Sequence, residues 1–366
     1  MNRSLDRAVG IPIVSVLSLF SRAPEEKPEI KRLLVIKLAA VGDTIVLIPV
    51  LRALRQSHPS LKIDWLVSPI NQQIAKTVPY VDNIIVWPKS LVSLWPLVNH
   101  LRAQKYDAVI DFEQWARGTA LLSYFSGATL RAGFDTPGER RAGVYTHRLT
   151  KTYTQHERDD FFALARLLFD VPSDDALELF PTSNGREEVR RALEGKPARK
   201  PTSLRVLIHP GCGADGAPRE WPLAKYAVLI HWLEKKYAAQ IFLTGGPEEK
   251  RKTADLNKLI GGHSIDLGGK LSWLGTISLL NEVDLIVSGN TGIMHVAAAA
   301  KKKQIALHGP TDARLWGPLN PLARVIKTPC PQCPCLRLGF EYHEDPLECM
   351  KKIEVEQVKE AVESLI

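Results

Sequence analysis

The sequence lacks long apolar runs, has few cysteines and has no nucleotide-binding glycine motif after its first predicted strand. None of its apolar runs approaches the roughly 18–20 residues of a membrane-spanning helix, which argues against an integral membrane protein. Five cysteines in 366 residues are too few for a disulfide framework. The turn at residues 37–44, after the first predicted strand, carries neither G-x-G-x-x-G nor G-K-[S/T]. This argues against a dehydrogenase and against a P-loop protein.

Acidic residues are outnumbered: there are 40, against 48 Lys and Arg, for a net charge of +8. This surplus favours an acidic partner, which can be nucleic acid, an anionic membrane surface or a phosphorylated small molecule. Basic residues are not interleaved with aromatic ones, so nucleic-acid binding has only the net charge behind it.

The chain is longer than the roughly 250–300 residues at which a single core stops growing, and it therefore predicts two domains. Strand-length apolar runs alternate with helical periods from residue 31 and again from residue 204, which predicts an α/β protein with two doubly wound domains. Ligands of such sheets bind at the carboxyl ends of the strands, in a cleft expected between the domains. The predicted parts are an extension (1–30), a first domain (31–195), a linker (195–203), a second domain (203–349) and a C-terminal helix (350–366).

Within the first domain, the strand at residues 129–134 is predicted to close the sheet. Residues 135–154 lack periodicity and are rich in Gly, Arg and Thr, which predicts a long functional loop.

Residues 1–30 differ from the rest. Two arginines precede an apolar run at residues 8–20 that a Gly and a Pro interrupt, and no small-x-small cleavage site follows. A short amphipathic segment on an anionic leaflet is the favoured interpretation. The alternative is an extension that packs on the body of the protein.

Asp43 lies in the turn between the first predicted strand and a helix at residues 44–57. A carboxylate at the carboxyl edge of a sheet can accept a proton from a hydroxyl as a general base. An Asp in this place can equally be a simple helix N-cap.

Several loops of the second half combine small residues with ligand-binding side chains. Arg219 offers a bidentate fork to a phosphate or is a solvated surface residue. Glu248 either begins a helix or holds a ribose. The small residues before Ile293 leave an anion-binding helix end, where His295 contacts a ligand or is structural. The loops are Ile208–Gly213, continuing to Arg219–Pro222, and Thr244–Glu248, Ser288–His295 and His308–Asp312.

Taken in order, these segments resemble glycosyltransferase family 9, the ADP-heptose:lipopolysaccharide heptosyltransferases, over roughly residues 31–366. The matching stretches of the first half are LAAVGDTIVLIPVLRALRQSHP and DFEQWARGTALLSYFSGATLRAGF. Those of the second half are HPGCGADGAPREWP, TGGPEE, SGNTGIMHVAAAA and LHGPTDARLWGP.

The resemblance implies a GT-B fold, which consists of two Rossmann-like domains facing a cleft, and an inverting, metal-independent transfer with Asp43 as the base. It implies no cofactor, an ADP-sugar as co-substrate, a phosphorylated glycolipid as acceptor, and a location at the inner face of the cytoplasmic membrane. The candidate donor-binding residues are His209, Arg219, Gly245, Gly246, Glu248, Asn290, Thr291, Gly292, Met294 and His295. The candidate acceptor-binding residues are Gly42, Arg117, Arg131 and Arg140, where each Arg could equally be a solvated surface residue.

Two features depart from this picture. Relatives usually carry Asp where this chain has Asn290, which leaves the identity of the donor sugar open. Two alternative functions therefore remain. One is a nucleotide-sugar-binding protein without transferase activity, and the other is a transferase that uses another nucleotide sugar. Four cysteines also crowd together, at Cys330, Cys333, Cys335 and Cys349. Their spacing is not a standard zinc pattern, so reduced thiols are favoured over a metal site.

Overall fold

The computed structural model describes residues 3–26, 28–88, 90–196, 203–213, 216–328, 333–342 and 348–366. The chain divides into two compact units, Met1–Asp175 and Ala176–Ile366. The linker expected at residues 195–203 lies downstream of this division, and its residues 197–202 fall outside the described part.

The first unit is built on a six-stranded parallel sheet of order β3-β2-β1-β4-β5-β6. Its central strand β1 reads RLLVI, and four of the five residues are fully buried, as expected for a strand covered by helices on both faces. The helices and strands are α1 (Arg3–Ser18), β1 (Arg32–Ile36), α2 (Val41–Ser57), β2 (Lys62–Val67), α3 (Gln72–Ala75), β3 (Asn83–Val86), α4 (Leu94–Ala103), β4 (Ala108–Asp111), α5 (Arg117–Phe125), β5 (Leu130–Asp135), β6 (His147–Thr150) and α6 (Glu157–Arg166).

Two expectations for this unit were wrong. The stretch at residues 135–154 is not all loop, because it contains a 3₁₀ turn (Ala142–Val144) and the strand β6. Strand β5 therefore does not close the sheet, since β6 pairs with it in parallel. The alternating exposure of β6, typical of an edge strand, gave too weak an apolar signal to be recognised.

Helix α1 runs through the Gly and Pro that were expected to interrupt it. Gly10 faces the neighbouring helix α5, where a Cβ on Gly10 would lie only 2.7 Å from the Cβ of Arg117. The glycine thus permits a close helix–helix approach. The extension packs on its own unit through this face.

The second unit repeats the design, with a six-stranded parallel sheet of order β12-β11-β10-β7-β8-β9. Strands β9 and β12 at its two edges went unrecognised in the sequence, because they are short or half exposed. The helices and strands are α7 (Ser183–Leu193), β7 (Arg205–His209), α8 (Leu223–Tyr237), β8 (Gln240–Leu243), α9 (Lys250–Leu259), β9 (Ile265–Asp266), α10 (Trp273–Leu279), β10 (Leu285–Gly289), α11 (Gly292–Ala299), β11 (Lys303–His308), α12 (Ala313–Trp316), β12 (Ala323–Lys327), β13 (Leu336–Arg337), β14 (Glu341–Tyr342) and α13 (Val355–Glu363).

Helices at both ends of the second unit are tied into it. Glu188 of α7 accepts hydrogen bonds from the backbone N and the hydroxyl of Ser272, at the start of α10. The C-terminal helix α13 buries Val358 and Val362 in the core of the unit, and the indole of Trp221 donates to the carbonyl of Ile353.

In the described part of the chain, no helix combines the length and the apolar character needed to cross a bilayer.

Candidate active site

The loop after β1 presents Asp43 at the carboxyl edge of the first sheet. Helix α2 begins at Val41 with Ala40 as its N-cap, so Asp43 is the third helical residue and the N-cap alternative is wrong. Gly42 beside it is buried in the same turn. The Asp43 side chain is 19% exposed, and its Oδ2 lies 2.7 Å from Nζ of Lys37.

Lys37 is a fully buried cation between two carboxylates. Its ammonium also lies 3.5 Å from Oε1 of Glu113. Burial by itself would lower the pKa of Lys37, but the charges of Asp43 and Glu113 outweigh it and raise this pKa above its usual value. Lys37 is therefore a permanent positive charge beneath the partly exposed Asp43 carboxylate.

Hydrogen bonds from neighbouring strands fix this loop. Glu113 accepts from the backbone N of Leu38 at 2.7 Å and of Ala39 at 3.0 Å. The amide of Asn71 donates to the carbonyl of Lys37 at 3.0 Å and to the hydroxyl of Thr44 at 2.9 Å. The loop that leads into the first turn of α2, and so to Asp43, is thus held from two sides. Sequence reasoning missed Lys37 and Glu113, although a Lys directly after the four apolar residues LLVI was a usable signal.

Of the three arginines expected to bind an acceptor, two are engaged inside the unit. Arg117 is 1% exposed and pairs with Asp6 at 3.0 Å and with Glu139 at 2.6 Å. Arg131 donates to the carbonyls of Val144 and Ala128. Neither is the solvated surface residue of the alternative interpretation. Arg140 is exposed.

In the second unit, His209 ends β7 and lies beside the loop that follows β8. Its Nδ1 is 3.1 Å from the hydroxyl of Thr244, and its Nε2 is 3.6 Å from Oε2 of Glu249. Burial lowers the pKa of His209 in spite of the opposing carboxylate, which leaves the ring neutral at physiological pH.

Glu249, which sequence reasoning passed over, joins the two glycine loops. It accepts from the backbone N of Gly213 at 2.8 Å and of Gly246 at 2.7 Å. A Cβ on Gly211 would lie 2.0 Å from its Oε1, and one on Gly245 2.9 Å from its Cβ. A side chain at either place would displace Glu249 from this position.

The neighbouring Glu248, chosen from the sequence as a donor-binding residue, is exposed in a 3₁₀ turn at Pro247–Glu249. Residues 211–216 have the spacing G-x-G-x-x-G, which the sequence analysis overlooked. A 3₁₀ turn at Ala217–Arg219 follows instead of an α-helix, so the dinucleotide-binding pattern is not completed.

Arg219 is held by backbone carbonyls from two loops. Its Nη1 donates to the carbonyl of Asn290 and its Nη2 to that of Cys212, each at 3.2 Å. The structure therefore brings Arg219 next to the loop before α11, as the donor-site hypothesis requires. Asn290 is 8% exposed and donates through Nδ2 to the carbonyl of Trp316.

Helix α11 begins at Gly292 with Thr291 as an N-cap that makes no side-chain capping bond. Both residues are partly exposed, whereas Met294 and His295 are buried in the helix. An uncapped α-helix start leaves N–H groups and the positive end of the helix dipole for an anion.

The cysteine cluster is only partly described, because Cys330 lies outside the described residues. The Sγ atoms of Cys333 and Cys349 lie 3.1 Å apart, and Cys335 is buried. Over the described ranges, no three His, Cys, Asp or Glu side chains are grouped to hold a metal ion.

Comparison with known proteins agrees with this architecture. The profile of glycosyltransferase family 9 (heptosyltransferase) matches residues 94–343. Lipopolysaccharide heptosyltransferase 1 of Escherichia coli K12 is 24% identical over 314 residues, which is 81% of this chain and 94% of that protein.

Two solved structures share the fold. A glycosyltransferase family 9 protein of Veillonella parvula superposes with a TM-score of 0.76 at 20% identity, covering 93% of this chain and 98% of that one. The E. coli heptosyltransferase WaaC with ADP gives 0.68 at 23% identity, covering 92% and 100%. Together with the two doubly wound parallel sheets, these matches confirm the expected GT-B fold. The chain belongs to glycosyltransferase family 9 and is a glycosyltransferase.

Proposed function

We propose that this glycosyltransferase moves a heptose or a related sugar from an ADP-sugar to a lipopolysaccharide inner-core or related glycolipid acceptor, with inversion and without a metal. The observation that carries the proposal is the partly exposed Asp43 carboxylate, paired with the buried cation of Lys37 at the carboxyl edge of its sheet. Such an edge is where ligands of doubly wound sheets bind.

In the proposed reaction, Asp43 accepts the proton of an acceptor hydroxyl. The hydroxyl oxygen attacks the anomeric carbon from the face opposite the nucleotide, and the bond from that carbon to the diphosphate oxygen breaks. Lys37 acts through Asp43 as a positioning residue, because its ammonium lies 2.7 Å from the carboxylate and holds it in place before the proton arrives.

Negative charge grows on the departing diphosphate, and Arg219 is the proposed partner for it. Two backbone carbonyls already orient its guanidinium, so little reorganisation is needed during reaction. The uncapped helix start at Thr291 and Gly292 supplies a second site of positive potential. These groups would do the work of a metal ion.

We assign the remaining donor contacts to the loops around Glu249. Gly245 and Gly246 allow a ligand close to the backbone, and exposed Glu248 is available to ribose hydroxyls. His209, Met294 and His295 would shape the pocket from beneath. The ADP-bound relative supports ADP as the nucleotide.

For the acceptor, Gly42 and the exposed Arg140 are the proposed contacts of the first unit. The internal partners of Arg117 and Arg131 make them supports of this surface instead. We further propose that the protein is cytoplasmic and that residues 1–30 attach it to the anionic inner face of the membrane.

A second candidate is a nucleotide-sugar-binding protein without transferase activity, or a transferase for a different nucleotide sugar. Asn290 favours it, because the side chain has no charge where relatives usually have Asp, and its amide is already bonded to the Trp316 carbonyl.

The test is to mix purified protein with ADP-heptose and a heptose-free lipopolysaccharide core, and to measure ADP release and product mass. Release of ADP with a product heavier by one heptose is the expected result. Transfer only from another nucleotide sugar would select the altered-donor alternative. Tight ADP-sugar binding without ADP release from any donor would refute the transferase proposal.

A further inference from the structure

An apolar cavity of about 570 Å³ lies on the face of the first unit that α4 and α5 cover. This volume is within the range of small-ligand pockets, on the order of 300–1,000 Å³. The lining side chains are mostly apolar and include four aromatic or proline rings. The lining residues used below are Trp87, Leu94, Trp95, Val98, Leu121 and Phe125.

The cavity lies near the carboxyl edge of the sheet. Trp87 directly follows β3, and Leu94 begins α4. Both residues pack on the same apolar cluster as Leu38, which belongs to the loop that positions Asp43. A ligand seated here would therefore be anchored near the sheet edge that carries the proposed base.

Large apolar side chains are exposed around the cavity. Trp95, at its rim, is 69% exposed, and Val92, just before α4, is 85% exposed. Phe125 at the end of α5 is 39% exposed. Exposed aromatic side chains of this kind are typical of surfaces that meet a membrane interface.

Helix α1 adds a stripe of exposed apolar residues beside this cavity. Leu5, Val9, Ile13 and Val16 are 51%, 48%, 37% and 58% exposed, and their spacing of three and four residues places them on one side of the helix. The stripe flanks the face by which α1 packs on α5. Leu121 of α5 packs on the buried cluster that includes Val14 of α1, and it also lines the cavity. Gly118, which lines the cavity as well, donates its backbone N–H to Asp6 of α1. Helix α1 and the cavity therefore adjoin the same helix, α5.

The charges on this surface have one sign. No Asp or Glu occurs from residue 83 to 106 or from residue 7 to 24, whereas Arg7 and Arg102 lie within these segments. Both arginines are exposed, and the single acidic residue of α1, Asp6, is buried against Arg117. A surface that is apolar, basic and without carboxylates is complementary to an anionic bilayer.

We propose that this surface docks on an anionic lipid bilayer and that the cavity between α4 and α5 takes one acyl chain of a membrane lipid. The proposal rests on the membrane location given above but not on sugar transfer. Seating the chain would bury Trp95 and Leu94 and hold a lipid headgroup toward the sheet edge that carries Asp43.

The docking surface is tested with the full-length protein and vesicles of phosphatidylcholine with or without phosphatidylglycerol. Val9→Glu and Trp95→Ala are expected to lower partition onto the anionic vesicles by roughly tenfold each, because each removes exposed apolar area. Val228→Glu is the matched control, since Val228 is 51% exposed on the second unit, and it should bind as the wild type. Circular dichroism confirms that each variant is folded.

The cavity is tested with a short-chain phosphatidylglycerol kept below its critical micelle concentration. Saturable binding by calorimetry is expected for the wild type and for Val228→Trp, and its loss for Val98→Trp, which fills the cavity. Equal binding by the wild type and Val98→Trp would overturn the acyl-chain site. Unchanged vesicle partition of Val9→Glu and Trp95→Ala would overturn the docking surface.

Two further outcomes separate this proposal from others. A wild type that dimerises in solution, with Val9→Glu monomeric and vesicle binding unchanged, would assign the stripe to a second copy and refute the membrane surface. Transfer to a water-soluble deacylated acceptor should persist in Val9→Glu and Trp95→Ala. Its absence from the wild type, with normal vesicle binding, would count against the transferase proposal and leave the docking surface standing.

Discussion

At the scale of single residues, the first unit relies on buried charges that are paired. Lys37 lies between Asp43 and Glu113, and removal of one partner from a buried ion pair is costly because the remaining charge is left without compensation. The position of Asp43 therefore depends on the Lys37 ammonium, which is buried out of reach of water.

Replacement of Lys37 by Met tests this dependence. We expect kcat to fall by roughly tenfold or more, because the Asp43 carboxylate loses the ammonium that holds it in place. The affinity for ADP should not change. Lys225→Met, which removes an ion pair of the second unit with Glu354, is the control and should leave kcat unchanged. An unchanged kcat in Lys37→Met would contradict the positioning role.

His308, at the end of β11, makes a prediction about stability. Burial, with a contribution from Lys327, lowers its pKa from 6.5 to about 4. Between these two pKa values, His308 is protonated in the unfolded chain but neutral in the folded protein. The free energy of unfolding therefore falls as the pH drops from 6.5 toward 4. The loss amounts to roughly 3 kcal/mol. Denaturant unfolding at both ends of this window should show a smaller loss for His308→Asn than for the wild type and for His263→Asn, an exposed control.

At the scale of elements, α1 is fastened to α5 by one carboxylate. Asp6 accepts from the backbone N of Arg117 and of Gly118, and from the Arg117 guanidinium. The two N–H groups belong to the first turn of α5, where an acidic group is also favoured by the helix dipole.

Asp6→Ala should therefore release α1 while the sheet remains folded. The local free energy of opening is expected to fall by roughly 3 kcal/mol, seen as faster amide hydrogen exchange across residues 3–18. Glu29→Ala, on an exposed side chain, should exchange as the wild type does. Unchanged protection of α1 in Asp6→Ala would show that apolar packing alone holds the helix.

At the scale of the whole molecule, the sequence was sufficient for the two parallel sheets, because strands such as β1 and β10 are continuous apolar runs between helical periods. It failed for the edge strand β6, whose alternating pattern is short and half polar. It indicated Asp43 at the carboxyl edge of the first sheet but not the residues that support it, since Glu113 is distant in sequence and only folding brings it to Lys37. Arg117 was expected at an acceptor surface for the same reason, because a sequence does not show that its partner is Asp6, 111 positions away. The carbonyl partners of Arg131 are likewise brought to it only by folding.

Some of the basic residues behind the net charge of +8 can be assigned to particular surfaces. Part of the surplus lies on a surface of α1 and α4 that has no exposed carboxylate, and part lies with Arg219 beside a helix start. Both are places for phosphates, one at a membrane and the other on a nucleotide.

The proposed role of Asp43 as the base of sugar transfer is tested by comparing turnover with ADP binding in Asp43→Ala. We predict that turnover falls by roughly two to four orders of magnitude, while ADP binds as it does to the wild type, because the proposed donor contacts lie in the other unit. Retained turnover, or an equal loss of turnover and ADP binding, would contradict the account.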